Sequence, residues 1–101
     1  MKIAIASSGK DENSEVSSIA GRAPYFLIYE EGKLKKAIKN PFAIGGGGAG
    51  FGVAKMLENE KVDLIIAGHF GEKIIGALRE RNIKKRELTN MKIKEIVKKI
   101  K

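Results

Sequence analysis

The chain has 101 residues, of which 43% are hydrophobic and 32% charged; this is enough for one globular domain and too little for two. It has no cysteine and one histidine, which excludes disulfide scaffolds, thiol nucleophiles, thiolate zinc sites and cysteine-ligated iron–sulfur clusters. No apolar stretch approaches the roughly 20 residues that cross a bilayer, and the first residues lack a signal-peptide core. We therefore expect a soluble, cytoplasmic domain.

The positive charge is concentrated towards the C-terminus. The formal net charge is +8, and residues 79–101 contribute +7 of it, with ten basic and three acidic residues. Such a segment favours anionic partners. Nucleic acid is disfavoured, because most of the few aromatic residues lie in or beside a predicted hairpin, away from the basic segment. The Lys- and Glu-rich composition, without Gln, Cys or Trp, leans towards a thermophilic source.

The first half of the chain predicts a strand followed by a hairpin. Residues 2–6 are compatible with a strand, which ends in a polar loop. The apolar and aromatic run at 25–29 predicts a second strand, and residues 34–39 predict its return after a tight turn. Asn40-Pro41 ends that strand.

The second half predicts helices that alternate with strands. The predicted elements are a helix opened by the glycine block at 45–50, a β-branched strand at 62–68, a helix at 72–81, a charged edge strand at 83–88, and a last helix capped by Thr89-Asn90. This order predicts one α/β domain over residues 1–101. We expect a mixed, mostly parallel sheet of about five strands with three helices.

The glycine block is the most conspicuous motif of the sequence. Gly45, Gly47 and Gly50 satisfy the spacing G-x-G-x-x-G, but the block follows a hairpin instead of the first strand. A phosphate-binding Walker loop is excluded, because no Gly-Lys-Ser/Thr closes the run. Two interpretations remain: a flexible surface loop, or a loop whose backbone N–H groups contact an anion.

His69 is the only histidine and follows the most apolar predicted strand. Open α/β sheets bind their ligands at this edge, so His69 is either an exposed loop residue or a ligand. One histidine cannot form a metal site unaided. The serines form no recognisable catalytic triad with His69. The paired carboxylates Asp11-Glu12 and Glu30-Glu31 lie in predicted turns, where solvated charge is the ordinary explanation. We therefore do not infer an enzyme.

The order of short motifs resembles the dinitrogenase iron–molybdenum cofactor biosynthesis family, the nitrogenase accessory factor-like domains. The matching stretches are residues 1–6, Val16-Ser17, Gly-Arg-Ala-Pro-Tyr-Phe at 21–26, Asn40-Pro41, the glycine block, residues 62–66, and Gly71 followed by Leu78 and Ile83. The resemblance implies a ribonuclease H-like α/β fold. It also implies a non-enzymatic carrier or binding protein for iron–molybdenum cofactor or iron–sulfur cluster precursors. Its partner would be a cofactor-assembly or acceptor protein, and we expect a monomer or weak dimer.

The same resemblance suggests a binding site. Family members often carry His-Phe before the Gly-Arg pair, where Ile19 and Ala20 stand here, and often a histidine at the glycine-rich loop. Arg22 matches the family motif and could pair with an anionic cofactor. His69 is not a clear family position, but the predicted topology places it at the same sheet edge. We predict a cofactor-binding site formed by Arg22, Gly46, Gly47, Gly48 and His69. We assign no separate metal-ion site.

Two alternatives stay open at the level of sequence. One is a cofactor-free regulatory or scaffold domain that meets its partner through the basic C-terminal helix. The other is an anion or nucleic-acid binder that uses the same helix. A ribonuclease H-type nuclease is disfavoured, because no cluster of carboxylates falls at the predicted strand ends.

Overall fold

Five strands and three helices make up the described part of the chain, which is residues 1–44 and 48–100 of a computed structural model. They are β1 (Lys2–Ser7), β2 (Tyr25–Glu30), β3 (Lys33–Lys39), α1 (Ala49–Asn59), β4 (Leu64–Ala67), α2 (Glu72–Glu80), β5 (Lys84–Glu87) and α3 (Ile93–Ile100). The strands form one sheet in the order β3-β2-β1-β4-β5. The predicted α/β class and order of elements are confirmed.

The sheet is mixed. β1 pairs with β4, and β4 with β5, in parallel, whereas the β1–β2 and β2–β3 pairs are antiparallel. The sheet is thus parallel in two of four pairs and not mostly parallel, because the β2–β3 hairpin adds two antiparallel neighbours. The hairpin turns through Glu31 and Gly32, whose φ angles of 54° and 76° are those of a type I′ turn.

Helices cover both faces of the sheet. Alternate strand residues face α1 and α2 on one side, among them Phe26 and Ile65, and α3 on the other, among them Leu27 and Ile66. Each helix buries an apolar stripe, as the periodicity predicts. None of the helices within residues 1–44 and 48–100 is long and apolar enough to cross a membrane.

The start of α3 differs from the prediction. Thr89-Asn90 does not cap it, since the helix begins at Ile93. The N–H of Ile93 donates to the carbonyl of Ser14 at 2.9 Å, and the next N–H of the helix donates to the carbonyl of Glu12, also at 2.9 Å. The polar loop after β1 therefore provides the acceptors that a capping side chain would otherwise supply.

Two helical glycines differ in their surroundings, since Gly50 packs closely against another helix and Gly76 faces open space. A Cβ on Gly50 of α1 would lie 2.9 Å from the backbone nitrogen of Ile74 in α2, whereas a Cβ on Gly76 of α2 meets nothing within 4 Å. We expect Gly50→Ala to lower the free energy of unfolding by about 1 to 3 kcal/mol through overpacking. Gly76→Ala should raise it by about 0.5 to 1 kcal/mol. Urea denaturation of both variants measures the two effects; equal changes would contradict the close helix contact.

The buried hydroxyl of Tyr29 makes the free energy of unfolding depend on pH in the alkaline range. Burial, reinforced by the negative charge of Glu12, raises the pKa of Tyr29 to about 12, and the hydroxyl has no hydrogen-bond partner among the described residues. In the unfolded chain this group loses its proton near pH 10, so the folded state loses about 2 to 3 kcal/mol of stability between pH 10 and 12.

Tyr29→Phe should abolish that component of the pH dependence. The stability of the variant at pH 7 should equal or slightly exceed that of the parent, because an unpaired buried hydroxyl is removed. Urea denaturation at pH 7, 10 and 11.5 tests this, and the lysine titrations common to both proteins cancel in the difference. A pH dependence unchanged by the substitution would refute the assignment to Tyr29.

Candidate functional site

The carboxyl ends of β1 and β4 meet at one edge of the sheet because the two strands are parallel. Residues 17–24, here called the site loop, lie across this edge. The N–H of Ser17 donates to the carbonyl of Ala6 at 2.8 Å, and the N–H of Gly68 donates to the carbonyl of Ser17 at 2.9 Å. The loop is therefore joined to the segments at the ends of both strands.

A glycine after β4 permits this close approach. A Cβ on Gly68 would lie 2.8 Å from the Cα of Ser18 and 3.0 Å from its carbonyl oxygen, closer than side chains tolerate. One residue further, the carbonyl of His69 accepts a hydrogen bond from the N–H of Ala20 at 3.0 Å. The backbone of His69 is thus joined to the site loop two residues before Arg22.

Asn40 holds the other end of the site loop. Its side-chain amide donates to the carbonyl oxygens of Gly21 at 3.1 Å and Ala23 at 2.9 Å, and its Oδ1 accepts from the N–H of Phe42 at 2.9 Å. The residue is 3% exposed. The sequence predicts that Asn40 ends a strand. The structure shows in addition that its side chain anchors the site loop.

Arg22 belongs to the site loop, and its side chain joins the loop to the segment that leads to α1. It is half-buried, and its Nη1 donates to the carbonyl of Phe42 at 2.7 Å. The preceding residue, Gly21, lies beside the start of α1, where a Cβ on it would be 3.9 Å from the Cβ of Ala49, an ordinary van der Waals contact. The guanidinium therefore contacts the segment that leads to α1.

The glycine block is described in part. Gly48 is exposed and immediately precedes α1, with a φ of 88° that favours glycine. No side chain caps α1, and its first turn carries no acidic residue, so no such group offsets the positive end of its dipole. Gly46 and Gly47 lie outside the described residues, and their predicted role stays a prediction.

His69 presents an accessible imidazole. Its side chain is 72% exposed, and its Nδ1 lies 3.8 Å from Oε2 of Glu87 in β5. Arg22 lies in the site loop and the backbone of His69 is bonded to it, but their side chains contact different neighbours, the carbonyl of Phe42 and the carboxylate of Glu87. That they line one pocket stays a prediction.

The described residues form no cluster of side chains that could coordinate a bare metal ion. Residues 1–44 and 48–100 contain no group of three or more His, Cys, Asp or Glu side chains that could hold one. A metal bound at this edge would need most of its ligands from elsewhere.

A polar cleft at the same edge was not predicted. Its volume is about 520 Å³, and its lining residues follow β1 or β5; they are Ser8, Glu15, Val16, Ser17, Ser18, Thr89 and Asn90. The sequence contained a signal for it, since polar residues that follow strands of one parallel set share an edge.

The comparison with known proteins agrees with this architecture. The model of the family described as "Dinitrogenase iron-molybdenum cofactor" matches residues 1–101. A candidate NifB protein from Thermotoga, of the DUF35 family, is 29% identical, with a TM-score of 0.84 over 98% of this chain and 85% of that one. The apo orange protein from Desulfovibrio gigas is 22% identical, with a TM-score of 0.90 over 98% and 85%, which shows a shared fold. No curated protein matches the chain.

We expect Asn40 to be essential for the stability of the site loop. Asn40→Ala leaves the buried carbonyl oxygen of Ala23, the partly buried carbonyl oxygen of Gly21 and the N–H of Phe42 without their partner, so the free energy of unfolding should fall by about 2 to 4 kcal/mol. Asn13→Ala, at an exposed position, is the matched control and should change it by less than about 0.5 kcal/mol. Equal effects in urea denaturation would show that Asn40 anchors nothing.

Proposed function

Because the chain belongs to the dinitrogenase iron–molybdenum cofactor family, whose model matches residues 1–101, we propose that it is a non-enzymatic carrier. Its cargo is an iron–molybdenum or iron–sulfur cluster, or a precursor of one. The observation that supports this most is the convergence of the site loop, the start of α1 and the His69 segment at one sheet edge. The proposed site comprises Arg22, Gly46, Gly47, Gly48 and His69.

The donor set fits a preformed cluster better than a bare ion. A cluster brings its own sulfide ligands, so it needs few from the protein, and the described residues offer no group of three or more metal-binding side chains. Clusters of this kind are anionic, and the site offers positive charge from Arg22 and from the N-terminus of α1, whose first turn carries no acidic residue. The cargo would therefore be held by one ligand and by compensating positive charge.

His69 is the proposed ligand. Its exposed imidazole can reach a cluster at the surface through Nε2, while Nδ1 faces the carboxylate of Glu87 at 3.8 Å. Ligating histidines commonly direct their second ring nitrogen at a carboxylate, which orients the ring. Glu87 is a positioning residue in this account.

Arg22 and the start of α1 supply the compensating charge. The guanidinium carries its charge at any physiological pH, and its hydrogen bond to Phe42 holds it in place. The glycine block precedes a helix N-terminus without an acidic residue in its first turn. Backbone N–H groups in such positions stabilise anions, including cluster sulfides.

Few protein ligands suit a carrier, because the cargo has to leave again. A cofactor-assembly or acceptor protein in the cytoplasm would be the partner that receives it. The proposed role needs no general base or nucleophile, since binding and release involve ligand exchange alone.

Anaerobic loading with iron and sulfide, followed by metal analysis and visible absorption, tests the proposal. We expect stoichiometric iron in the parent protein and a loss of more than about half of it in His69→Ala and Arg22→Ala. Ile19→His, which restores a histidine at an exposed position of the site loop, should increase cluster retention.

Leu34→His is the matched control, since Leu34 is also exposed but lies on β3. Iron content at background in the parent and in Ile19→His would contradict the carrier proposal. Iron that is bound but unaffected by the His69 and Arg22 substitutions would place the cargo elsewhere. Folding of each variant is checked by circular dichroism.

A further inference from the structure

A groove along the outer surface of α1 has the shape and charge of a second binding site, and we infer that it binds a small aromatic anion. Its volume is about 630 Å³, within the range of typical ligand clefts. Its lining is mainly apolar and aromatic, with a few polar groups; the residues are Pro41, Phe42, Gly48, Phe51, Gly52, Lys55, Met56, Asn59 and Glu60.

Phe51 is an exposed aromatic ring held in a defined position. It is 56% exposed, which is unusual for so large an apolar side chain. The guanidinium carbon of Arg81 lies 4.8 Å from the ring centroid. Arg81 is itself fixed by Glu58 at 3.5 Å and by the carbonyl of Ala77 at 3.0 Å. The ring therefore offers a preorganised surface for stacking.

Phe42 provides a second aromatic surface in the groove. A Cβ on Gly52 would overlap the Phe42 ring, so the glycine lets that ring lie directly on α1. The hydrogen bonds of its backbone with Asn40 and Arg22 fix the position of the residue. Two rings anchored by separate contacts thus line one open groove.

The charges in the groove favour an anionic ligand. Lys55 lies one helical turn after Phe51, and its ammonium forms no ion pair within residues 1–44 and 48–100. The carboxylate of Glu60 is already paired with Lys36 at 3.0 Å. One uncompensated positive charge therefore stands beside an aromatic surface.

These features together define the ligand class as a planar aromatic ring system with one anionic substituent. The rings would stack on Phe51 and Phe42, and the anion would pair with Lys55. The inference does not rest on the carrier proposal, since neither Arg22 nor His69 lines the groove. Gly48 is the one residue that the groove shares with the proposed cluster site.

Two fluorescent probes test the inference. 1-Anilinonaphthalene-8-sulfonate has the aromatic rings and the anion, and N-phenyl-1-naphthylamine has the same rings without the sulfonate. We expect the parent to bind the sulfonate probe at one site per chain, more tightly than the neutral probe. Phe51→Ala should weaken both probes about tenfold, whereas Lys55→Ala should weaken the sulfonate probe alone, by about three- to tenfold.

Matched controls change the same residue types elsewhere. Leu34→Ala removes an exposed apolar side chain of β3, and Lys99→Ala removes an exposed lysine of α3; both should bind the probes as the parent does. Binding that is absent, that involves several sites, or that is weakened equally by the controls would overturn the inference. So would a Lys55→Ala effect of the same size on both probes. Circular dichroism and thermal unfolding confirm that each variant is folded.

Discussion

The approach of the site loop to the end of β4 is the constraint on which the rest of the site depends. At Gly68 the two backbones meet so closely that a Cβ would lie 2.8 Å from the Cα of Ser18. The side chain of Asn40 holds the other end of the loop through hydrogen bonds to the carbonyl oxygens of Gly21 and Ala23. With both ends held, the loop places the Arg22 guanidinium at the carbonyl of Phe42 and joins the His69 backbone to Ala20. The site is thus built by backbone contacts, and its charged side chains are added to a preformed frame.

Local sequence patterns predicted the elements well and their long-range contacts poorly. The β-branched run that contains β4 and the apolar stripe of α2 each indicate burial from local sequence alone, and the structure confirms both elements. The prediction that Thr89-Asn90 caps α3 was wrong, because the first N–H groups of the helix donate to carbonyl oxygens of a loop about 80 residues earlier in the chain. Asn40 looked like a turn residue for the same reason: its side-chain partners lie 17 and 19 residues before it. Arg22 and His69 could be named from motif and position, but the Phe42 carbonyl and Glu87 that contact them could not.

The proposed binding with few protein ligands would account for several features of the chain together. The absence of cysteine prevents thiolate ligation. In the proposed carrier, Arg22 and the N-terminus of α1 would supply electrostatic attraction in its place. The α1 groove follows a related principle, with preorganised aromatic rings and one unpaired lysine. Both sites adjoin the start of α1, where Gly48 leaves the surface without a side chain.

The central claim is that the sheet edge around the site loop recognises a preformed anionic cluster. The most direct measurement is an anaerobic two-dimensional ¹H–¹⁵N nuclear magnetic resonance titration with a synthetic four-iron, four-sulfide cluster anion. The account predicts that shifts or broadening concentrate at Gly21, Arg22, Gly48 and His69 and leave the α3 amides unchanged. Perturbations centred on the lysines of α3, or spread evenly over the chain, would contradict it and favour binding through the basic C-terminal helix.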